Sequence, residues 1–159
     1  MRSAARKLEN GWRIAPRRPE ETPALLAVWV ESWRATYEDI AFEARCAWLL
    51  DRLAKLEAEG AEILCLWEDA PKFLAGFVVI DPSTGWLDQL CVHPKRFGAG
   101  AAEALMAAAR EVSPARVGLD VNADNARALR FYEREGFRRV GVGETSQSGR
   151  PTVVLEWRA

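Results

Sequence analysis

Leu90-Cys91-Val92-His93-Pro94, then Phe97-Gly98-Ala99-Gly100-Ala101-Ala102, and further on Asn125-Ala126-Arg127-Ala128-Leu129-Arg130-Phe131-Tyr132-Glu133-Arg134-Glu135-Gly136-Phe137, decide how this chain folds. The first run reads as a strand that Pro94 ends, with His93 held extended ahead of the proline. The second reads as a glycine turn opening an Ala-rich helix, Ala101 to Val112. A turn of that kind leaves backbone N–H groups unpaired at a helix start, which makes a cradle for phosphate. The third run is helical from Asn125 to Glu135, with Gly136 placed to stop it. Asn125 and Tyr132 are seven residues apart, so they lie two turns apart on one helix face, as contact with a long linear ligand requires.

Upstream, Arg13 to Ala15 forms a short strand ended by Pro16 and Pro19. Thr22 offers a cap and Pro23 an N1 proline to a helix in which Leu26, Trp29, Val30, Trp33 and Tyr37 recur at helical spacing. A second helix runs from about Glu43 to Glu59, with Cys46, Leu49, Leu50, Leu53 and Leu56 on its inner side and Gly60 at its end. Ile63 to Glu68 and Phe73 to Ile80 are apolar strands joined by the turn Asp69-Ala70-Pro71-Lys72, and the turn cluster Asp81 to Gly85 leads into Trp86 to Val92. Arg116 to Val121, Phe137 to Val142 and Thr152 to Trp157 complete the strands, the last two linked by Ser148-Gly149-Arg150-Pro151. Hairpins followed by strand-helix-strand crossovers imply an α/β (α+β mixed) fold: a mixed, mostly antiparallel sheet of six to seven strands with about four helices on both faces. The expected organisation is one domain over 13–159, preceded at 1–12 by a flexible basic tail carrying Arg2, Arg6 and Lys7 against Glu9.

At 159 residues the chain is long enough to bury roughly 70% of its unfolded surface without staples. A formal net charge of −1 argues against a dedicated nucleic-acid binder. The three cysteines, Cys46, Cys65 and Cys91, are scattered through apolar runs and odd in number, which fits a reducing cytoplasm. His93 is the single histidine, so no metal site is expected, and no apolar run reaches the roughly 20 residues of a membrane span.

The strand, glycine turn and Asn–Tyr helix resemble the coenzyme A site of the GNAT superfamily of N-acetyltransferases. The resemblance covers most of the chain and is specific from 86 to 137. It implies acetyl-CoA as co-substrate and direct attack by an amine of a small molecule or peptide, in a ternary complex and without metal. It further implies cofactor contacts at Leu90, Val92, Gly98, Ala99, Gly100, Ala101, Ala102, Asn125 and Tyr132. The Val92 amide would polarise the thioester carbonyl and Tyr132 would protonate the leaving thiolate. Asp88 is a candidate base, with His93 and a water relay as alternatives, and strand alternation puts Asp88 on the face of Leu90 and Val92. Trp33, Tyr37 and Asp88 are expected at the acceptor, with Glu144 to Arg150 as a lid or dimer edge in a possible homodimer. The chain departs from the family pattern at Phe97, where similar proteins carry Gln or Arg, and at Ala99, where they carry a basic or polar residue; Lys95 and Arg96 could supply charge from just upstream. Two alternatives stand beside this: a catalytically silent acyl-CoA sensor on the same fold, and a dinucleotide fingerprint built from Gly98, Gly100 and Asp120. The latter is opposed by Glu103 at its third glycine position.

Overall fold

The computed structural model describes residues 2–146 and 149–159, so Ser148 of the expected final turn lies outside the described residues. Eight strands and four α-helices are formed: β1 (Arg6–Lys7), β2 (Arg13–Pro16), α1 (Thr22–Thr36), α2 (Cys46–Ala58), β3 (Glu62–Asp69), β4 (Lys72–Ile80), β5 (Leu87–Val92), α3 (Ala101–Val112), β6 (Arg116–Asn122), α4 (Ala126–Arg134), β7 (Arg138–Val142) and β8 (Thr152–Arg158). The expected fold class and order of elements are met, but the strands divide into two sheets. β1 to β5 form an antiparallel five-stranded sheet, and β6, β8 and β7 form a second one in that order. Among the described residues a single parallel bridge, Trp86 to Gly118, joins them, beside a 2.9 Å bond from Gly118 N–H to Gly85 O.

Both faces of the larger sheet are covered, which is why β3 and β4 read as nearly continuous apolar runs. Ile63, Cys65 and Trp67 pack with Phe77 and Val79 under α1 and α2, whose Leu25, Leu49 and Leu53 are fully enclosed. Leu64, Leu66, Val78 and Ile80 face the other way, against Leu105 and Met106 of α3. Phe131 and Tyr132 of α4 and Phe137 join the same cluster over the smaller sheet.

Three readings are corrected by the fold, and one strand carries an irregularity that the sequence reading did not foresee. Part of the tail expected at 1–12 is paired: Arg6 and Lys7 lie opposite Ile14 and Arg13, and Leu8 and Trp12 pack on the core. Thr22 is the first helical residue rather than the cap, because a single 3₁₀ turn, Pro19–Glu21, runs straight into α1. Leu50 is exposed, since the α2 stripe is centred on Leu49 and Leu53. Finally, β5 carries a bulge. Ile80 lies opposite Leu87 but Val79 opposite Gln89, so Asp88 is the extra residue. The bulge breaks strict alternation at that point: Leu87 packs in one core with Leu90 and Val92, while the Asp88 carboxylate is held by Arg52 of α2.

Candidate functional site

The two sheets diverge beyond the Trp86–Gly118 bridge, and the opening exposes one edge of β5. His93 N–H donates to Ala75 O of β4 at 2.8 Å. Because backbone groups alternate sides along a strand, the N–H groups of Val92 and Leu90 point away from β4, into the opening. Two cavities of about 320 Å³ each meet there. Trp33, Leu90, Asn125, Ala128 and Tyr132 line both, so these residues form the junction.

The first cavity runs toward the start of α3. Gly98 (φ +75°) and Gly100 (φ +90°) take left-handed backbone there, and a Cβ at either would project into open space. Their N–H groups meet no acceptor among the described residues, and the first N–H groups of α3 have no intrahelical partner by construction. Gly98, Gly100, Ala101 and Ala102 line this cavity, and Ala99 lies in the same loop with its N–H donated to Arg96 O at 3.2 Å. Donors of this kind, at the positive end of a 12-residue helix, fit a pyrophosphate. Arg96 is engaged by Glu68, so the upstream charge expected of it is already neutralised. His93 caps the turn Pro94–Arg96, its Nδ1 accepting from Lys95 N–H at 3.1 Å, and it lines neither cavity.

At the junction, Asn125 is buried and its Oδ1 accepts the Ala128 N–H at 3.3 Å, capping α4. Its Nδ2 makes no hydrogen bond among the described residues, leaving a donor for a ligand. Tyr132 is buried between Phe131 and Phe137, with ring centroids 5.3 and 5.4 Å away. Burial, followed by Cys91 and Asp120, raises its pKa, so the phenol keeps its proton.

The second cavity is walled by aromatic rings of α1 and the segment after it. Trp33 stacks on Tyr37 (5.8 Å) and Phe42 (5.9 Å), and Trp48 lies 6.4 Å from Trp29. Tyr37 lines this cavity, but its hydroxyl donates to Asp124 at 2.6 Å, and burial and that bond raise its pKa to about 12. Asp88 is held bidentately by Arg52, at 2.8 and 2.5 Å. Asp120, on β6, is an acid that the sequence reading placed only in the dinucleotide alternative and not at the acyl-transfer site. It opens onto the cavity, and no other side chain hydrogen-bonds it among the described residues. The surrounding protein, then the charge of Asp88, lift its pKa above the ordinary carboxylate value. Its position twelve residues before Tyr132 was visible, but only the meeting of β5 and β6 brings it beside Asp88 and Gln89.

Among the described residues no group of three or more His, Cys, Asp or Glu side chains is arranged to hold a metal, and no helix is long and apolar enough to cross a membrane. The sequence pattern described as the Acetyltransferase (GNAT) family matches residues 22–137. Peptidyl-lysine N-acetyltransferase YjaB of Escherichia coli K12 is 30% identical over 139 residues, spanning 87% of this chain and 90% of that protein. Mycothiol acetyltransferase of Kineococcus radiotolerans is 36% identical over 132 residues, 77% of this chain and 42% of that longer protein. Among solved structures, the PaiA N-acetyltransferase of Thermoplasma acidophilum in complex with coenzyme A superposes with a TM-score of 0.74 at 19% identity, over 93% of this chain and 99% of that one. The chain belongs to the GNAT family of acetyl-CoA-dependent N-acetyltransferases.

Proposed function

We propose that the protein transfers an acetyl group from acetyl-CoA to a primary amine at the end of an apolar arm, with a lysine side chain of a peptide as the leading acceptor. The observation that carries the reading is the pair of cavities meeting at Asn125 and Tyr132, on the open edge of β5. The cavity at the α3 start takes the nucleotide end of acetyl-CoA on the N–H groups of Gly98 and of Gly100 to Ala102. Asn125 Nδ2 donates to the pantetheine arm. The N–H groups of Leu90 and Val92 face the thioester, and a donor aimed at the developing oxyanion contributes about 3 kcal/mol. The other cavity takes the amine, with Trp33, Tyr37 and Trp48 flanking its apolar arm and the acids beyond them receiving its charge. The peptidyl-lysine relative supports a lysine side chain as acceptor, while the mycothiol relative keeps a small-molecule amine in view.

The amine nitrogen forms the new C–N bond as the C–S bond breaks. The amine proton leaves to a cleft base, and the thiolate takes a proton from Tyr132. Asp88 keeps a role in shaping the acceptor end through Arg52, and Asp120 replaces it as base, because both Asp88 oxygens already accept from the guanidinium. The test is thiol release from acetyl-CoA in the presence of a lysine-containing peptide. Wild type should turn over, and Tyr132→Phe should lower kcat about a hundredfold with little change in acetyl-CoA affinity. Binding of acetyl-CoA without thiol release across a broad amine panel would instead favour the silent sensor.

A further inference from the structure

Arg150 ties the aromatic wall of the second cavity to the smaller sheet. It belongs to the connection between β7 and β8, whose Glu144, Thr145 and Ser146 line that cavity. Its Nη1 donates to Asp124 at 2.8 Å, and its Nη2 lies 3.3 Å from each oxygen of Asp39. Its guanidinium carbon stands 4.0 Å from the centroid of the Tyr37 ring, whose hydroxyl donates to the same Asp124 at 2.6 Å. One planar group thus stacks on the wall and bridges two carboxylates, a geometry that a lysine ammonium does not reproduce.

The backbone holds the two sides of this clamp unequally. The turn before α4 is tied to the β7–β8 connection by the Ala123 N–H, which donates to Pro151 O at 2.9 Å. Tyr37, Asp39 and Phe42 lie in the segment between α1 and α2. Among the described residues no backbone hydrogen bond links that segment to the smaller sheet, so side chains make the join. Trp33 stacks on both Tyr37 and Phe42, and what holds Tyr37 therefore holds the wall. On the other side, Asp124 immediately precedes Asn125, and Asp120 lies four residues earlier. The clamp fixes the wall against Asn125 and Asp120.

We propose that Arg150 is a positioning residue of the acceptor site. With Tyr37 and Asp124 it holds the aromatic wall at the spacing that the apolar arm of an amine fills, and it does so without touching acceptor or donor. The inference rests on the acyl-transfer reading and adds to it the residue that sets acceptor affinity. Loss of the clamp leaves the rings stacked on one another but no longer fastened to the smaller sheet. The arm is then held less well, in ground state and transition state alike. A loss of that kind raises KM and leaves kcat.

The experiment is thiol release from acetyl-CoA by wild type, Arg150→Gln and Tyr37→Phe, with a lysine-containing peptide and with butylamine as acceptors. Butylamine reproduces the lysine arm without the peptide around it. Tyr37→Phe keeps the ring and removes only its hydroxyl, and thermal unfolding confirms that each variant folds. Each should raise KM about tenfold for both acceptors, with kcat and the KM for acetyl-CoA changed by less than about twofold. A rise for the peptide alone in Arg150→Gln would overturn the proposal, because Arg150 would then contact the peptide directly. Unchanged acceptor KM in both folded variants would also overturn it and leave the cluster a stabilising one alone. Absence of thiol release by wild type with these and every other amine of a broad panel would remove the acyl-transfer reading itself, and this inference with it.

Discussion

Asp88 and Asp120 both line the cavity proposed for the acceptor, and their surroundings give them different capacities. Asp88 spends both oxygens on Arg52. Asp120 has no such partner among the described residues, and desolvation by the surrounding protein, then the Asp88 charge, raises its pKa, which strengthens it as a proton acceptor. A base acts in its ionised form, so kcat/KM should rise with pH through the elevated Asp120 pKa and then level off. In Asp120→Asn that limb should vanish. Activity near neutrality should fall by about 10² to 10⁴, and should recover only as the amine loses its own proton near pKa 10.4. Thiol release with a lysine peptide, followed from about pH 4, near the ordinary carboxylate value, up to about pH 10, reads this directly. A profile unchanged in the variant would hand proton removal to water. The pairing that sets the two acids apart joins positions 36 residues apart and sits at a one-residue bulge in β5. Neither is legible from the local pattern, which is why the sequence reading favoured Asp88.

At the scale of elements, α4 carries two jobs on one residue. Asn125 Oδ1 caps the helix, and its Nδ2, unbonded among the described residues, is the donor proposed for the pantetheine arm. Asn125→Asp keeps the accepting oxygen and removes the donor; Asn125→Ala removes both. Loss of a cap costs about 1 kcal/mol. Urea unfolding should therefore show Asn125→Ala destabilised by about that amount and Asn125→Asp near wild type. Calorimetry should show both weakened toward acetyl-CoA. Retained affinity in Asn125→Asp would reduce Asn125 to a cap. Elements that depend on nearby residues were legible. α3 was read at its observed ends because Ala101 to Val112 is uninterrupted and preceded by glycine, and β3 to β5 were read to within one residue because Pro71 and Gly85 mark their turns. The Asn125–Tyr132 spacing was legible for the same reason, being two turns of one helix. What a single element cannot encode was missed: the exposure of Leu50, the pairing of Arg6 and Lys7 with a strand that follows them, and the division into two sheets.

That division makes the cleft, and at the scale of the whole molecule it rests on one joint. Gly85 has φ +76°, and its O accepts from Gly118 N–H just where Trp86 bridges Gly118, the last contact before β5 and β6 part. A Cβ at Gly85 would lie 2.5 Å from Arg116 O and 2.9 Å from Ser113 Oγ. The first of these is backbone, so relief requires moving β6 and not merely rotating a side chain. Left-handed backbone with a Cβ costs about 1–2 kcal/mol, and overpacking costs about 1–3 more. Gly85→Ala should therefore lower Tm by about 4–20 °C, at 2–4 °C per kcal/mol for a chain of this size. Gly141→Ala is the control, because a Cβ there meets nothing within 4 Å and the backbone is not left-handed. The joint also sets the distance between Leu90 on β5 and Asp120 on β6, so a shifted β6 changes the width of the opening. Acetyl-CoA affinity measured well below Tm should then fall in Gly85→Ala by more than any unfolded fraction explains. If Tm drops and affinity per folded molecule does not, the joint contributes stability alone, and the width of the cleft is set instead by α1 and α4, whose Trp33 and Tyr132 both line its junction.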